Sequence, residues 1–333
     1  MCPQDTGEKS LYDLPVRVNT FQMDNAGTNP FGEIRSLISI FLVLKKERPD
    51  VVFSFNPKTN LYGLLSCKFL GIRCVPNVSG VGNASQLAGW KALAYRTALK
   101  FAFRSANHVL FQNESDLSEY RSVGLLSDGR YSRLPGSGVD LDRFRPSPRR
   151  TGEPFVFLMA CRLISQKGVV EFLEAAERVK EEFGNTEFWL AGVSDSSERA
   201  IPEQLLREFS DRGIIRFLGN VADMAGVIGE ADCIVLPSWY PEGVPRILLE
   251  GAAAGKPLIT TNRPGCQDVV KDGLNGYFVN AESVVSLVEV MVKILDTKPK
   301  ALAAMGVESR RLAEEVFDER IVIERYLALS LGD

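Results

Sequence analysis

The chain has 333 residues, which is enough for two domains that each bury a sizeable core. Its hydrophobic fraction of 45% and charged fraction of 24% are those of an ordinary globular protein and exclude a disordered or fibrous chain. The net charge of −3 conceals an asymmetry, because residues 1–150 carry +7 and the remainder −10. A basic first half fits a face that meets phosphates or an anionic membrane, although a chance split of surface charge would look the same.

The six cysteines are scattered without any Cys-x-x-Cys pair, and several lie in apolar runs. This pattern predicts reduced, mostly buried thiols in a cytosolic protein, with neither a zinc site nor a disulfide framework. The most apolar run, residues 37–44, is less than half as long as a membrane span, and the N-terminus does not resemble a signal peptide.

Strand-like and helix-like stretches alternate through the first half, which is typical of βαβ units on a parallel sheet. The predicted elements are strand 16–21, helix 31–48, strand 51–55, helix 61–70, strand 74–78, a turn at Gly80 and Gly82, helix 90–104, strand 108–112 and helix 116–123.

Residues 136–148 are rich in glycine and proline and are predicted to form an interdomain linker. A second alternating series follows, with strands 155–161, 187–191, 215–217, 233–236 and 257–260, helices 168–183, 202–211, 222–229 and 246–254, and three closing helices near 281–295, 300–316 and 318–331.

The two series predict two Rossmann-like, doubly wound parallel-sheet domains that face a cleft. We expect the two domains to span residues 1–145 and 146–317, and the helix at 318–333 to pack back towards the first domain. Ligands of such sheets bind beyond the carboxyl ends of the strands, so the loops after those ends are the candidate sites.

Two cations follow the first strand of the second series, Arg162 and Lys167 in the sequence CRLISQKG. At a strand end beside a glycine that opens a helix, they can bracket a diphosphate, with arginine as a planar fork and lysine as a point charge. Solvated surface cations are the alternative interpretation.

Two glutamates, Glu242 and Glu250, lie in PSWYPEGVPRILLEGAAAGKP at residues 237–257. Eight helical positions span about 12 Å, more than the roughly 5 to 9.5 Å that separates the paired carboxylates of glycosidases. The spacing fits two carboxylates that read different hydroxyl groups of one elongated ligand. A helix cap and a solvated glutamate are the alternative.

Three motifs occur together in the chain: CRLISQKG, PSWYPEGVPRILLEGAAAGKPLI and NRPGCQDVVKDGLNGYFV. Their combination resembles the nucleotide-sugar half of retaining glycosyltransferases of family 4, which have the GT-B fold. NVSGVG, VLFQNESD and LPGSGVDLDRF are similar to that family's first domain and linker. Within the family, the chain looks closest to bacterial enzymes that extend sugars linked to polyprenyl diphosphate.

The resemblance implies that residues 1–145 bind the acceptor and that residues 146–317 bind a nucleotide-sugar. It also implies roles for individual residues. Arg162 and Lys167 would hold the donor diphosphate, Glu250 would bind the ribose hydroxyls, and Glu242 would lie beside the transferred sugar. The backbone at Gly243, Val244 and Pro245 would face the phosphates. The resemblance also implies retention of anomeric configuration, no metal ion, and a leaving phosphate that helps to deprotonate the acceptor.

The chain departs from the family at its start, where a strand and a glycine-rich loop normally precede the part that aligns. We therefore expect a first domain that is truncated at its N-terminus, with uncertain activity of the chain as given. On the acceptor side, Lys58 could meet an acceptor phosphate, and Gly80 and Gly82 would line the site; a solvated lysine is the alternative for Lys58.

A basic and aromatic helix is predicted over residues 90–104, from Trp90 to Arg104. It could lie on the inner leaflet, where a lipid-linked acceptor is found, or be an ordinary packing helix with a charged back.

These patterns predict a cytoplasmic, peripheral-membrane glycosyltransferase that moves a sugar from a UDP-sugar to a polyprenyl-diphosphate-linked saccharide in surface polysaccharide or glycan synthesis. No cofactor and no nucleic-acid partner are expected. The alternatives are a non-catalytic nucleotide-sugar-binding subunit that needs a partner, and a GT-B UDP-sugar epimerase.

Overall fold

The computed structural model describes residues 1–3, 16–23, 29–79, 97–126, 129–147, 152–194 and 197–332. The chain forms two compact units: Met1–Leu134 with Leu329–Asp333, and Pro135–Ala328. The linker predicted at residues 136–148 lies within the second unit. The predicted domain limits at residues 145 and 317 differ from these units and remain predictions.

The first unit contains a four-stranded parallel sheet in the order β3-β4-β5-β6 and a separate parallel pair, β1-β2. The strands are β1 Cys2–Pro3, β2 Thr20–Phe21, β3 Val51–Phe55, β4 Arg73–Val78, β5 Val109–Phe111 and β6 Tyr131–Arg133. The helices are α1 Pro30–Glu47, α2 Pro57–Leu70, residues 97–103, and α3 Glu114–Ser122.

Local sequence signals explain where the long helices of this unit begin and end. The Asn29 side chain accepts a hydrogen bond from the Phe31 N–H, and proline occupies the start of α1. Helix α2 also starts with proline and ends at Gly71, whose φ of 70° is in the left-handed region.

The second unit is built on a six-stranded parallel sheet in the order β12-β11-β10-β7-β8-β9. Its strands are β7 Phe155–Ala160, β8 Thr186–Ala191, β9 Arg216–Gly219, β10 Cys233–Leu236, β11 Leu258–Thr261 and β12 Gly276–Val279. Its helices are α4 Val169–Glu182, α5 Glu203–Asp211, α6 Met224–Glu230, α7 Arg246–Ala253, α8 Cys266–Val269, α9 Val284–Leu295, α10 Pro299–Leu312 and, ending in the first unit, α11 Glu319–Leu331.

The central strands of this sheet are mostly apolar and completely covered. Every residue of β7, β10 and β11 is buried, as expected when helices cover both faces of a parallel sheet. Counted by order in the chain, the strands run 3-2-1-4-5-6, the order of doubly wound nucleotide-binding sheets. The predicted α/β fold class with parallel sheets is confirmed.

No helix within the described ranges is long and apolar enough to span a membrane.

Candidate functional site

The strand order of the second unit reverses between β7 and β10, and two loops leave the carboxyl ends of these strands. One loop carries Arg162 and Lys167, and the other carries residues 237–245. In doubly wound sheets, ligands bind in the crevice at this reversal of strand order. The sheet therefore brings together two motifs that are far apart in sequence.

The first loop closes with a single 3₁₀ turn, Ser165–Lys167, and a left-handed glycine. Gly168 has a φ of 79°, and a Cβ atom at this position would lie 2.5 Å from the carbonyl oxygen of Pro237. Any side chain would strike the second loop, so glycine is required both by backbone conformation and by close approach. The two loops are in direct contact here.

Gln166 connects three loops. Its carbonyl oxygen accepts hydrogen bonds from the backbone N–H groups of Trp239 at 2.9 Å and Tyr240 at 3.1 Å. Its side-chain oxygen accepts one from Nη1 of Arg199 at 2.9 Å, in the loop after β8. These bonds fix the backbone around the candidate site before any ligand binds.

Lys167 and Glu242 form an ion pair across the two loops. Nζ of Lys167 lies 2.5 Å from Oε2 of Glu242, and the two side chains are only 10% and 11% exposed. The other carboxylate oxygen, Oε1, accepts a hydrogen bond from the hydroxyl of Ser238 at 2.8 Å. Ser238 is completely buried, so both oxygens of Glu242 are held by groups that cannot easily move.

The ring of Tyr240 lies beside both cations. The guanidinium carbon of Arg162 is 5.5 Å from the ring centroid, and Nζ of Lys167 is 5.4 Å from it. Both distances are within the range of a cation–π interaction. Arg162 is exposed, whereas Lys167 is buried, so the pair presents one charge to solvent and one to the interior.

Helix α7 starts at the end of the second loop without a side-chain cap, since Pro245 is its N-cap residue. Within the part of the chain that the structure describes, the N–H groups of Gly243 and Val244 donate no hydrogen bond to the protein. These N–H groups can donate hydrogen bonds to an anion, and the positive end of the helix dipole attracts its negative charge.

Two glycines from other loops approach the buried backbone at Gly243 and Val244 closely. A Cβ atom at Gly265, in the loop after β11, would lie 1.5 Å from the Gly243 carbonyl oxygen. A Cβ atom at Gly136 would lie 2.7 Å from Cβ of Val244. Two glycines with positive φ thus allow the loop to be held in one conformation.

Glu250 lies one helical turn after Arg246, and the two side chains form a pair with Nε at 3.4 Å from Oε1. Burial raises the pKa of Glu250, and the charge of Arg246 opposes that shift. Glu242 and Glu250 therefore have different basic partners, as expected for two carboxylates that act at separate points of a ligand.

The two cysteine thiols next to the site are expected to be unreactive. Burial raises the pKa of Cys161 to about 12 and that of Cys266 to about 12. Since the thiolate is the nucleophilic form, neither cysteine is suited to covalent catalysis. Within the described ranges, no group of three or more His, Cys, Asp or Glu side chains could hold a metal ion.

Comparison with known proteins identifies the family of the domain built on this sheet. Residues 154–297 match the family model described as glycosyl transferases group 1. Residues 154–297 are a glycosyltransferase group 1 domain. The match includes both loops of the candidate site, and the prediction of a glycosyltransferase is confirmed. Membership of family 4 and retention of configuration remain predictions.

Similar proteins act on lipid-linked sugars according to their names. A Campylobacter jejuni protein, N,N'-diacetylbacillosaminyl-diphospho-undecaprenol alpha-1,3-N-acetylgalactosaminyltransferase, is 28% identical over 346 residues, which cover 98% of this chain and 89% of that protein. An Escherichia coli UDP-Gal:alpha-D-GlcNAc-diphosphoundecaprenol alpha-1,3-galactosyltransferase is 26% identical over 279 residues, or 80% and 71% of the two chains.

Solved structures with a similar fold include Anabaena HepE in complex with UDP, with a TM-score of 0.77, 18% identity and coverage of 98% of this chain and 90% of that one. Sucrose-phosphate synthase from Thermosynechococcus elongatus has a TM-score of 0.76 with 19% identity and covers 96% and 86%. At these identities the likeness shows the fold, and the predicted GT-B class is confirmed.

The residues predicted for the acceptor side belong to the first unit. Lys58 Nζ lies 2.7 Å from Oε1 of Glu33, and the hydroxyl of Tyr62 donates to the other oxygen of the same carboxylate. Lys58 is thus an ion-paired residue, and its contact with an acceptor phosphate remains a prediction. Gly80 and Gly82 lie outside the described residues.

Three residues of the glycosyltransferase domain were missed by sequence reasoning: Gln166, Ser238 and Tyr240. Two of them lie in the quoted PSWYPEG segment, where a hydroxyl four positions before Glu242 and an aromatic ring were visible. Their contacts join loops distant in sequence, so no local pattern indicated which partners they would have.

Proposed function

We propose that this glycosyltransferase moves a sugar from a UDP-sugar to a saccharide linked to polyprenyl diphosphate, with retention of anomeric configuration. The observation that carries the proposal is the meeting of two cations, Arg162 and Lys167, with the uncapped start of helix α7 at the reversal of strand order. The acceptors named for the relatives support the lipid-linked substrate.

The donor diphosphate would lie between the two loops. Arg162 offers a planar set of donors at the surface, Lys167 offers a buried charge, and the backbone of Gly243, Val244 and Pro245 faces the same anion. Pro245 has no N–H, so its part is to start α7 and direct the two preceding N–H groups. HepE, which shares the fold, has been solved with UDP.

The two glutamates would hold opposite ends of the donor. Glu250 accepts hydrogen bonds from the ribose hydroxyls, and its partly buried carboxylate is paired with Arg246. Glu242 accepts from hydroxyls of the transferred sugar, held by Ser238 and Lys167. Since Lys167 has three N–H donors, one bond to Glu242 leaves two for the diphosphate.

In the reaction, the bond between the anomeric carbon and the UDP oxygen breaks while the acceptor oxygen bonds to that carbon on the same face. The acceptor proton passes to an oxygen of the leaving diphosphate. Negative charge grows on that diphosphate in the transition state, where Arg162, Lys167 and the N–H groups stabilise it. No dedicated side-chain base and no metal ion are required by this route.

The acceptor would be met by the first unit, with Lys58, Gly80 and Gly82 as proposed contacts. A polyprenyl anchor keeps its saccharide at a bilayer, so the protein would act at the inner membrane face from the cytoplasm. The membrane helix was predicted over residues 90–104, and the structure describes residues 97–104 of it. There, Lys100 and Arg104 are exposed and Phe101 is 50% exposed, while Leu99 and Phe103 are buried.

A direct test incubates the purified protein with radiolabelled UDP-GalNAc or UDP-Gal and a polyprenyl-diphosphate-linked monosaccharide in detergent. We expect label in the lipid fraction and, by NMR, the donor's anomeric configuration in the product. Glu242→Gln should abolish transfer, whereas Glu181→Gln, a matched change at an exposed site, should not. Absence of transfer from every UDP-sugar together with absence of UDP binding would contradict the proposal.

A further inference from the structure

Helix α1 has apolar residues on most of its circumference, and only one side contributes to the core. Ser36, Ile40 and Leu44 are 3%, 3% and 1% exposed and lie on the same side of the helix. This side accounts for the packing of α1 in its own unit. It does not account for the apolar residues elsewhere on the helix.

The opposite side carries four exposed apolar side chains, Phe31, Ile34, Ile38 and Leu42, which are 83%, 55%, 51% and 56% exposed. We call these four residues the outer stripe. At about 100° per residue they fall within an arc about 80° wide, and they extend along about 16 Å of the helix. Contiguous exposed apolar side chains of this kind indicate an interaction surface.

Cations border the outer stripe. Among the side chains of α1 that the structure describes, the exposed charged ones are Arg35, Lys45 and Lys46. Lys45 continues the stripe one turn beyond Leu42, and Arg35 and Lys46 lie along one edge of it. A second copy of the chain docked on this face would bring these cations near one another, which favours a partner with negative charge.

The acidic residues of α1 do not offset this charge at the surface. Glu33 forms an ion pair with Lys58 at 2.7 Å, and Glu47 forms one with Arg17 at 3.1 Å. Each carboxylate is only partly exposed and already has a cation beside it. The outer face of α1 is therefore apolar along its centre and positive along its border.

We propose that the outer stripe of α1 docks on an anionic lipid bilayer, with its apolar side chains at the level of the headgroups and Arg35, Lys45 and Lys46 against lipid phosphates. An apolar face bordered by lysine and arginine is what helices that lie in the membrane interface share. The inference rests on the proposed function, because a polyprenyl-linked acceptor is held at a bilayer in the cell.

The test measures partition of the full chain onto sucrose-loaded vesicles of phosphatidylethanolamine and phosphatidylglycerol, with phosphatidylcholine vesicles for comparison. We expect binding to the anionic vesicles. Ile38→Ser with Leu42→Ser should weaken it by about tenfold or more on account of lost apolar burial. Lys45→Gln with Lys46→Gln should weaken it by about tenfold at low salt and by less at high salt.

Matched controls come from the second unit. Val285 and Val307 are exposed apolar residues, 58% and 71% exposed, and changing both to serine should leave partition unchanged. The exposed pair Lys298 and Lys300 provides the charge control when both are changed to glutamine. All changes are at exposed positions, so circular dichroism and UDP binding should match those of the wild-type protein.

Three results would overturn the inference. One is that both α1 variants bind the anionic vesicles as well as the wild-type protein does. Another is that binding is lost only when Lys100 and Phe101 are changed. The third is a dimer in solution that Ile38→Ser with Leu42→Ser dissociates without changing partition, which would make a second copy the occupant. Transfer to a detergent-dispersed acceptor tests the proposed function separately, since it needs no bilayer.

Discussion

Nζ of Lys167 lies 2.5 Å from Oε2 of Glu242, and neither side chain is more than 11% exposed. This pair joins the loop after β7 to the loop after β10, and it places a positive and a negative charge at one point of the proposed donor site. An ion pair that is shielded from water offsets its cost of desolvation only when its geometry is good. Removal of one partner leaves an uncompensated buried charge.

Lys167→Met should lower the free energy of unfolding by about 3 kcal/mol, because the Glu242 carboxylate loses its cation. Lys167→Met with Glu242→Leu should recover most of that loss but remain inactive. Urea unfolding and the transfer assay measure the two effects separately. As a control, Arg207→Met breaks an exposed pair with the same 2.5 Å separation and should cost less than about 1 kcal/mol. Equal losses for Lys167→Met and Arg207→Met would contradict this assignment.

Ser238→Ala should reduce transfer by about tenfold while leaving UDP affinity nearly unchanged. The hydroxyl of Ser238 donates to Glu242 at 2.8 Å, and a hydrogen bond to a charged group contributes about 1.5 to 3 kcal/mol. Because Glu242 is proposed to bind the sugar, the change should appear in kcat and in donor-sugar discrimination. Steady-state kinetics and calorimetry with UDP are the measurements, and a lower UDP affinity with unchanged kcat would refute the role.

Gly168→Ala should destabilise the second unit and weaken UDP binding. Its positive φ alone costs about 1 to 2 kcal/mol for alanine, and the clash with the Pro237 carbonyl adds about 1 to 3 kcal/mol. Gly213→Ala is the matched control, because Gly213 has a φ of 66° with no atom within 4 Å of the added Cβ. Only Gly168→Ala should move the two loops apart, so similar UDP affinity in both variants would argue against the contact.

The UDP affinity of the wild-type protein should fall as pH is lowered, and the fall should begin above the pH range in which an exposed glutamate takes up a proton. Burial raises the pKa of Glu250 above its ordinary value, so this carboxyl takes up a proton at a higher pH than an exposed glutamate does. Protonation removes an acceptor for the ribose hydroxyls. Glu250→Gln should bind UDP more weakly at pH 7 and show a flatter pH profile by calorimetry; a steep profile in this variant would assign the titration to another group.

Local signals in the sequence were sufficient to predict the elements around the donor site. Strand β10 was predicted at residues 233–236 and is Cys233–Leu236, and helix α7 was predicted at residues 246–254 and is Arg246–Ala253. A buried apolar run, a proline- and glycine-rich loop and a closing glycine determine these limits within a few residues.

Elements with weak local signals were predicted less well. Residues 16–21 were predicted as a strand, but only Thr20–Phe21 pairs, and Val16 is exposed. Strand β12, Gly276–Val279, was not predicted, because a short run after glycine reads as a loop until β11 provides its pairing partner. Gln166 and Ser238 escaped notice for the same reason, since their roles come from contacts between loops.

The six-stranded sheet supplies every group proposed to hold the donor, from Arg162 to Glu250. Substitutions in residues 1–134 are therefore expected to leave the groups proposed to bind the donor in place. Under the proposed function, such an arrangement lets the acceptor side diverge under selection while the nucleotide side stays constant. A lineage of such enzymes can assemble different glycans from the same activated sugar by altering one half of the chain.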